Sequence, residues 1–128
     1  MPRKGNTMRK VLLVDDDELI RNFLKLHFEN NDFQVTMAEN GEDALSVAES
    51  EAPDLIVLDM NMPVKTGWET AKELKKAGAA TADTPIIALT AHKTHDDQVA
   101  AHEAGCDTFV EKPIDPERLF KAVERVLG

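Results

Sequence analysis

Short apolar runs alternate along the chain with longer segments in which apolar residues recur every three or four positions. Val11-Leu12-Leu13-Val14, Leu55-Ile56-Val57-Leu58 and Ile86-Ile87-Ala88-Leu89 are apolar on successive residues, the pattern of strands covered on both faces. Weaker runs around Phe33 and Phe109 bring the number to five. The expected strands are Lys10–Asp15, Phe33–Ala38, Asp54–Asp59, Pro85–Thr90 and Thr108–Val110. Strands alternating with helical segments form βα units, so the pattern predicts an α/β fold with a parallel sheet between helices.

The intervening segments carry helix start signals that agree with this reading. Asp115-Pro116 supplies an N-cap acceptor and a proline suited to the first helical position. After it, Leu119, Phe120, Val123, Val126 and Leu127 fall on one stripe. Asn40-Gly41 opens the second helix. Thr94 with Asp97 resembles a capping box, and Gly105 suits the left-handed residue that ends the fourth helix. Leu19, Ile20, Phe23, Leu24, His27 and Phe28 predict a broad apolar face on the first helix.

At 128 residues the chain is one domain in size. Its 42% hydrophobic and 30% charged residues are ordinary for a globular protein, and no run approaches the roughly 20 apolar residues of a membrane span. The net charge of −9 opposes direct binding to nucleic acid. Basic residues cluster only at Arg3, Lys4, Arg9 and Lys10, and residues 1–8 read as a flexible tail before a domain over 9–128. The single cysteine, Cys106, reads as a small buried side chain, which fits a reducing cytoplasm. His27, His95 and His102 read as surface residues.

Charged residues punctuate the strand ends. Asp15 and Asp16 close the first run, Asp59 the third, and Lys112 follows the fifth. In an open parallel sheet the carboxyl ends of strands gather in one crevice, so these positions converge. Three carboxylates packed together repel one another by several kcal/mol at about 4 Å and an effective dielectric of ~20. A divalent cation removes that conflict. Mg²⁺ prefers a few carboxylates plus water and phosphate oxygens, and Mn²⁺ fits as well. A carboxylate can also attack phosphorus to form an aspartyl phosphate. Thr90 adds a hydroxyl donor and Lys112 a compact positive charge for phosphoryl oxygens, giving a site for metal-dependent phosphoryl chemistry.

Four segments together resemble the response-regulator receiver domain of bacterial two-component signalling. They are VLLVDDDELIR with Asp15 and Asp16, DLIVLDMNMP around Asp59, PIIALTAH with Thr90, and FVEKP with Lys112 and Pro113. The resemblance implies a doubly wound, flavodoxin-like sandwich whose five parallel strands are ordered 2-1-3-4-5. It implies Asp59 as phosphoacceptor, with Mg²⁺ held by Asp16, Asp59 and the Asn61 backbone carbonyl, and by Asp15 through water. Lys112 contacts the phosphoryl group, and the Lys112–Pro113 peptide is cis. Thr90 and Phe109 match the pair that such domains use as a switch. Turning a 1:99 population into 99:1 takes about 5.5 kcal/mol of preference. Phe109 stands where a tyrosine is common, so contacts that use a tyrosine hydroxyl are lost. His92 and Asn61, at the rim, are expected to tune phosphoryl lifetime by shaping access of water.

The implied function is a cytoplasmic phosphorylation switch of the stand-alone, chemotaxis-regulator-like type, with no enzymatic activity beyond its own phosphorylation and dephosphorylation. The donor is a sensor histidine kinase or phosphotransfer protein, and the output is a downstream protein bound on the Thr94–Leu127 face, with no direct nucleic-acid or membrane partner. A chain ending at Gly128 is expected to be a single-domain regulator, or a receiver cut from a longer protein. Two other readings stay open. Asp15-x-Asp17 after an apolar strand resembles the acid pair of haloacid-dehalogenase-type phosphatases, although Leu19 stands where that family has Thr or Val. A binding module that works without phosphorylation is the second. Asp17 itself reads as an acidic helix start. Met60, Met62 and Trp68 read as core or loop packing before they read as a docking patch.

Overall fold

Ten elements follow one another in strict alternation in the computed structural model, which describes residues 8–62, 65–76, 78–91 and 95–128. They are β1 (Arg9–Val14), α1 (Glu18–Asn30), β2 (Phe33–Ala38), α2 (Gly41–Glu51), β3 (Leu55–Asp59), α3 (Gly67–Leu74), β4 (Ile86–Thr90), α4 (His95–Glu103), β5 (Thr108–Glu111) and α5 (Pro116–Leu127). All strand pairs are parallel, in the order β2-β1-β3-β4-β5. The expected α/β sandwich and strand order are present. Differences in strand limits amount to one residue, the most telling being that β1 stops at Val14 and leaves Asp15 just beyond it. Of the expected tail, only Met8 lies within the described residues.

Successive strand residues point to opposite faces, and each face has its own core. Leu12, Val14, Ile56, Leu58, Ile86 and Ala88 pack with the alanines of α2, α3 and α4 (Ala44, Ala48, Ala71 and Ala101). Val11, Leu13, Leu55, Val57, Ile87 and Leu89 pack on the other side with Leu24 and Phe28 of α1 and Leu119, Ala122 and Val123 of α5. Phe28 anchors that side, its ring meeting Phe33 edge-on at 5.1 Å and Phe120 at 4.8 Å. Cys106 is buried as expected, and burial pushes its thiol up to about 12, so it stays protonated at neutral pH.

The caps explain where the helices begin. Asn40 Oδ1 accepts from the Asp43 N–H at 2.8 Å and Asp115 Oδ1 from the Glu117 N–H at 3.0 Å, with Pro116 in the first turn. The expected box at Thr94 lies outside the described residues. A complete capping box occurs instead at α3, where Thr66 Oγ1 accepts from the Glu69 N–H and Glu69 Oε1 accepts from the Thr66 N–H, both at 3.2 Å. Gly105 follows α4 with φ +100°, the left-handed conformation expected of it.

The broad apolar face expected for α1 is narrower than the sequence suggests. Leu24 and Phe28 are fully buried, whereas Leu19 is 79% exposed and Phe23 37%. A helix lying on a sheet touches it along one stripe, and six apolar positions span more circumference than that stripe covers. Leu24→Ala should therefore cost about 2–5 kcal/mol in urea unfolding, while Leu19→Ser should stay within ~0.5 kcal/mol of wild type.

Candidate functional site

The strand register brings the chemistry together. Val14 pairs with both Ala38 and Leu58, Asp59 with Leu89, and Thr90 with Glu111, so all five carboxyl ends are level at one edge of the sheet. Asp15 continues the β1 ladder by one bond, its N–H donating to the Ala38 carbonyl at 3.2 Å. Its side chain is fully buried. Oδ1 accepts from the Asp17 N–H at 2.9 Å and Oδ2 from the Lys112 ammonium at 3.2 Å. Asp59, the last residue of β3, is 2% exposed and accepts from the Asn61 N–H at 3.1 Å. Lys112 Nζ lies 3.3 Å from the same Asp59 oxygen.

Lys112 is itself tied to the sheet, since its backbone N–H donates to the Thr90 carbonyl at 2.8 Å. The Lys112–Pro113 peptide is cis, as the resemblance implied. Thr90 is buried at the end of β4, and Phe109, half-buried on β5, packs against the core shared with α2, α3 and α4. Asp16 is exposed at the mouth of the crevice and Asn61 is exposed beside Asp59. Asp15, Asp16 and Asp59, Thr90 and Lys112 thus occupy one edge, and His92 lies outside the described residues.

Burial dominates the electrostatics. It raises the carboxyl of Asp15, to which the Asp59 charge adds, against the opposing Asp17 N–H and Lys112. It raises Asp59 likewise, with the Asn61 N–H and Lys112 opposing. For Lys112 burial works in the opposite sense, but the Asp59 and Asp15 charges and hydrogen bonds outweigh it and leave the ammonium raised. Among the described residues, one cation, Lys112, therefore pairs with this group of three carboxylates, whose oxygens lie within 4.8 Å of one another. That donor set, all hard oxygens with a charge deficit, fits a small divalent metal ion.

Asp17 is exposed and accepts from the Leu19 N–H at 2.9 Å as the N-cap of α1, so the structure uses it to start a helix. Met60 and Met62 are buried in the core, as expected for packing residues.

Two supporting residues escaped the sequence reading. Arg21, on α1, donates from Nη1 to the Asp15 carbonyl at 2.7 Å and fixes the acidic turn from behind. Its signal was the arginine that closes the VLLVDDDELIR segment. Gly67 opens α3 against the end of β3, and a Cβ there would meet the Asp59 carbonyl and Met60. Its N–H donates to the Met60 carbonyl at 3.2 Å. The Thr66-x-x-Glu69 spacing around it was the available clue.

Comparison with known proteins gives one consistent picture. The family model described as "Response regulator receiver domain" matches residues 11–124. The alkaline phosphatase synthesis transcriptional regulatory protein PhoP of Bacillus subtilis is 38% identical over 119 residues, 93% of this chain and 48% of the relative. The transcriptional regulatory protein CpxR of Klebsiella pneumoniae is 38% identical over 94% of this chain and 50% of its own length. The chain spans about half the length of the curated relatives it matches. Among solved structures, the chemotaxis protein CheY4 of Vibrio cholerae superposes with a TM-score of 0.89 at 34% identity, covering 94% of this chain and 100% of that one. A putative response regulator from Chloroflexus aurantiacus gives 0.89 at 29% identity, covering 94% and 98%. Among the described residues no helix is long and apolar enough to cross a membrane.

The raised carboxyls have a thermodynamic sign. A carboxyl whose folded value lies above its unfolded one favours the fold while protonated, and that contribution is lost as pH rises through the folded value. At pH 7 without metal, Asp59 and Asp15 therefore weigh against the fold. Asp59→Asn should melt above wild type in chelator at pH 7, by on the order of a few degrees, since ~1 kcal/mol moves Tm by about 4 °C in a domain of this size. The gap should close as pH falls toward 4, and a divalent cation should raise the Tm of wild type more than that of the variant.

Proposed function

The chain belongs to the response-regulator receiver domain family, and from that premise we propose that it is a phosphorylation switch that takes a phosphoryl group onto Asp59 from a phosphohistidine. The observation that carries this reading is the Lys112 ammonium shared between Asp15 at 3.2 Å and Asp59 at 3.3 Å at the meeting of three strand ends. Receiver domains work with kinases or other phosphodonors, so the donor here is a sensor histidine kinase or a phosphotransfer protein. A cytoplasmic setting belongs to the same reading.

In the transfer, an Asp59 carboxylate oxygen attacks phosphorus in line with the P–N bond, which breaks as the P–O bond forms. Asp59 is suited to attack because its Oδ1 is fixed by the Asn61 N–H, which sets the direction of the remaining oxygen. Lys112 pairs with the carboxylates beforehand and turns to the incoming phosphoryl oxygens, so positive charge is in place before negative charge arrives. The Thr90 hydroxyl donates to another of those oxygens. Mg²⁺, held by Asp16, Asp59, the Asn61 carbonyl and, through water, Asp15, would neutralise phosphoryl charge during the transfer. The domain accelerates its own phosphorylation and the later hydrolysis and turns over no other substrate.

Two states of one packing deliver the output. Thr90 drawn toward the phosphoryl group leaves space on the β4–β5 side, where Phe109 lies, and the face built from α4, β5 and α5 changes shape for a partner protein. Asn61 and His92 set how readily water reaches the acyl phosphate. The transcriptional regulation in the names of the curated relatives is said of those proteins. Here the output is contact with a downstream protein. Asp17, engaged as a helix cap, supports this reading over a phosphatase using Asp15 and Asp17.

Incubation with acetyl phosphate and Mg²⁺ should add one phosphoryl group to the intact mass of wild type and none to Asp59→Ala. Lys112→Ala should slow the gain by about tenfold or more, as expected where a charge-assisted contact worth ~1.5–3 kcal/mol is removed from the transferring group. Modification that persists in Asp59→Ala would overturn the assignment.

A further inference from the structure

Trp68, the only tryptophan of the chain, lies on α3 with its ring against the core, and its indole N–H is buried with no hydrogen-bond partner among the described residues. The ring lines a narrow gap together with Met60, Ala88, Thr90, Phe109 and, from α4, Asp97, Gln98 and Ala101. The gap has no room for a water molecule. Thr90 and Phe109 border the same space. The Trp68 ring, whose N–H is unpartnered among the described residues, therefore borders the same gap that the switch pair must repack.

We propose that Trp68 is a positioning residue of the switch, whose indole N–H gains an acceptor on α4, at Asp97 or Gln98, when Thr90 moves toward the phosphoryl group. The inference rests on the reading of Asp59 as phosphoacceptor and adds to it a residue on α3, outside the Thr90–Phe109 pair. A buried N–H without an acceptor disfavours the packing that strands it by roughly five- to a hundredfold. The packing seen here carries that penalty. A packing that relieves it is favoured by the same factor, so Trp68 holds the unphosphorylated arrangement close to the point of change. The apolar ring keeps the two helices apart until the gap closes, and the two polar side chains of α4 bordering it are both acceptors.

Because Trp68 is the sole tryptophan, its emission reports on this gap in the unmodified protein. Wild type should be followed with Mg²⁺ alone, then with Mg²⁺ and acetyl phosphate, recording intact mass and tryptophan emission in parallel, with Asp59→Ala as control. The expected result is an emission change that tracks phosphoryl gain and is absent both with Mg²⁺ alone and in the control. Hydrogen exchange then tests the role of the N–H. Phosphorylation should alter exchange of the α4 amides in wild type, and Trp68→Phe, which keeps an apolar ring but no N–H, should gain the phosphoryl group at the wild-type rate while losing about fivefold or more of that α4 response. Gln98→Leu with Asp97→Ala, which leaves the ring and removes the acceptors, should lose the response equally. Phosphoryl gain with unchanged emission, or an α4 response intact in Trp68→Phe, would overturn the role of Trp68 and leave the acceptor reading standing. Absence of phosphoryl gain from acetyl phosphate and from a phosphohistidine protein alike would overturn the acceptor reading, and the proposal with it.

Discussion

The site depends on the Lys112 amine, placed, among the described residues, with more carboxylates than it can neutralise. Lys112 reaches Asp15 and Asp59 from just beyond β5 across the end of the sheet, and both acids are almost fully buried. Burying two like charges beside each other is costly, and one ammonium covers only part of that cost. The deficit has a direction. It draws positive charge into the crevice and makes the unliganded state the less comfortable one, which suits a domain whose role is to respond when something arrives.

The remainder of the fold can be understood as support for that placement. Levelled strand ends put the acids and the amine at one edge, the Thr90 carbonyl holds the backbone that carries the amine, and Arg21 secures the acidic turn from the helix side. Gly67 lets α3 start directly against the strand that ends in Asp59. These are backbone contacts for the most part. The clustered acids and amine are thus positioned largely by hydrogen bonds of the main chain.

Much of this was legible beforehand because it is periodic or ordered along the chain. Continuous apolar runs at Leu55–Leu58 and Ile86–Leu89 announced central strands, and Asp15, Asp59 and Lys112 stood where strand ends collect. What escaped was set by tertiary approach. Nothing in the spacing of Leu19, Phe23 and Leu24 says which of them meets the sheet, since the rotation of α1 is fixed by its neighbours. Arg21 acts on a main-chain carbonyl six residues behind it, and Gly67 matters for an atom it lacks. Neither effect leaves a pattern of residue types. The α3 capping box was visible as Thr66-x-x-Glu69, but the apolar run that should follow it is short.

The bond between Lys112 and Asp15 closes a separation of 97 positions. No single βα unit, and no fragment that omits either end of that span, contains the site. The smallest piece of chain that can hold it is nearly the whole domain. Such a constraint makes the receiver indivisible as a part, since a peptide cut inside that span loses one side of the site.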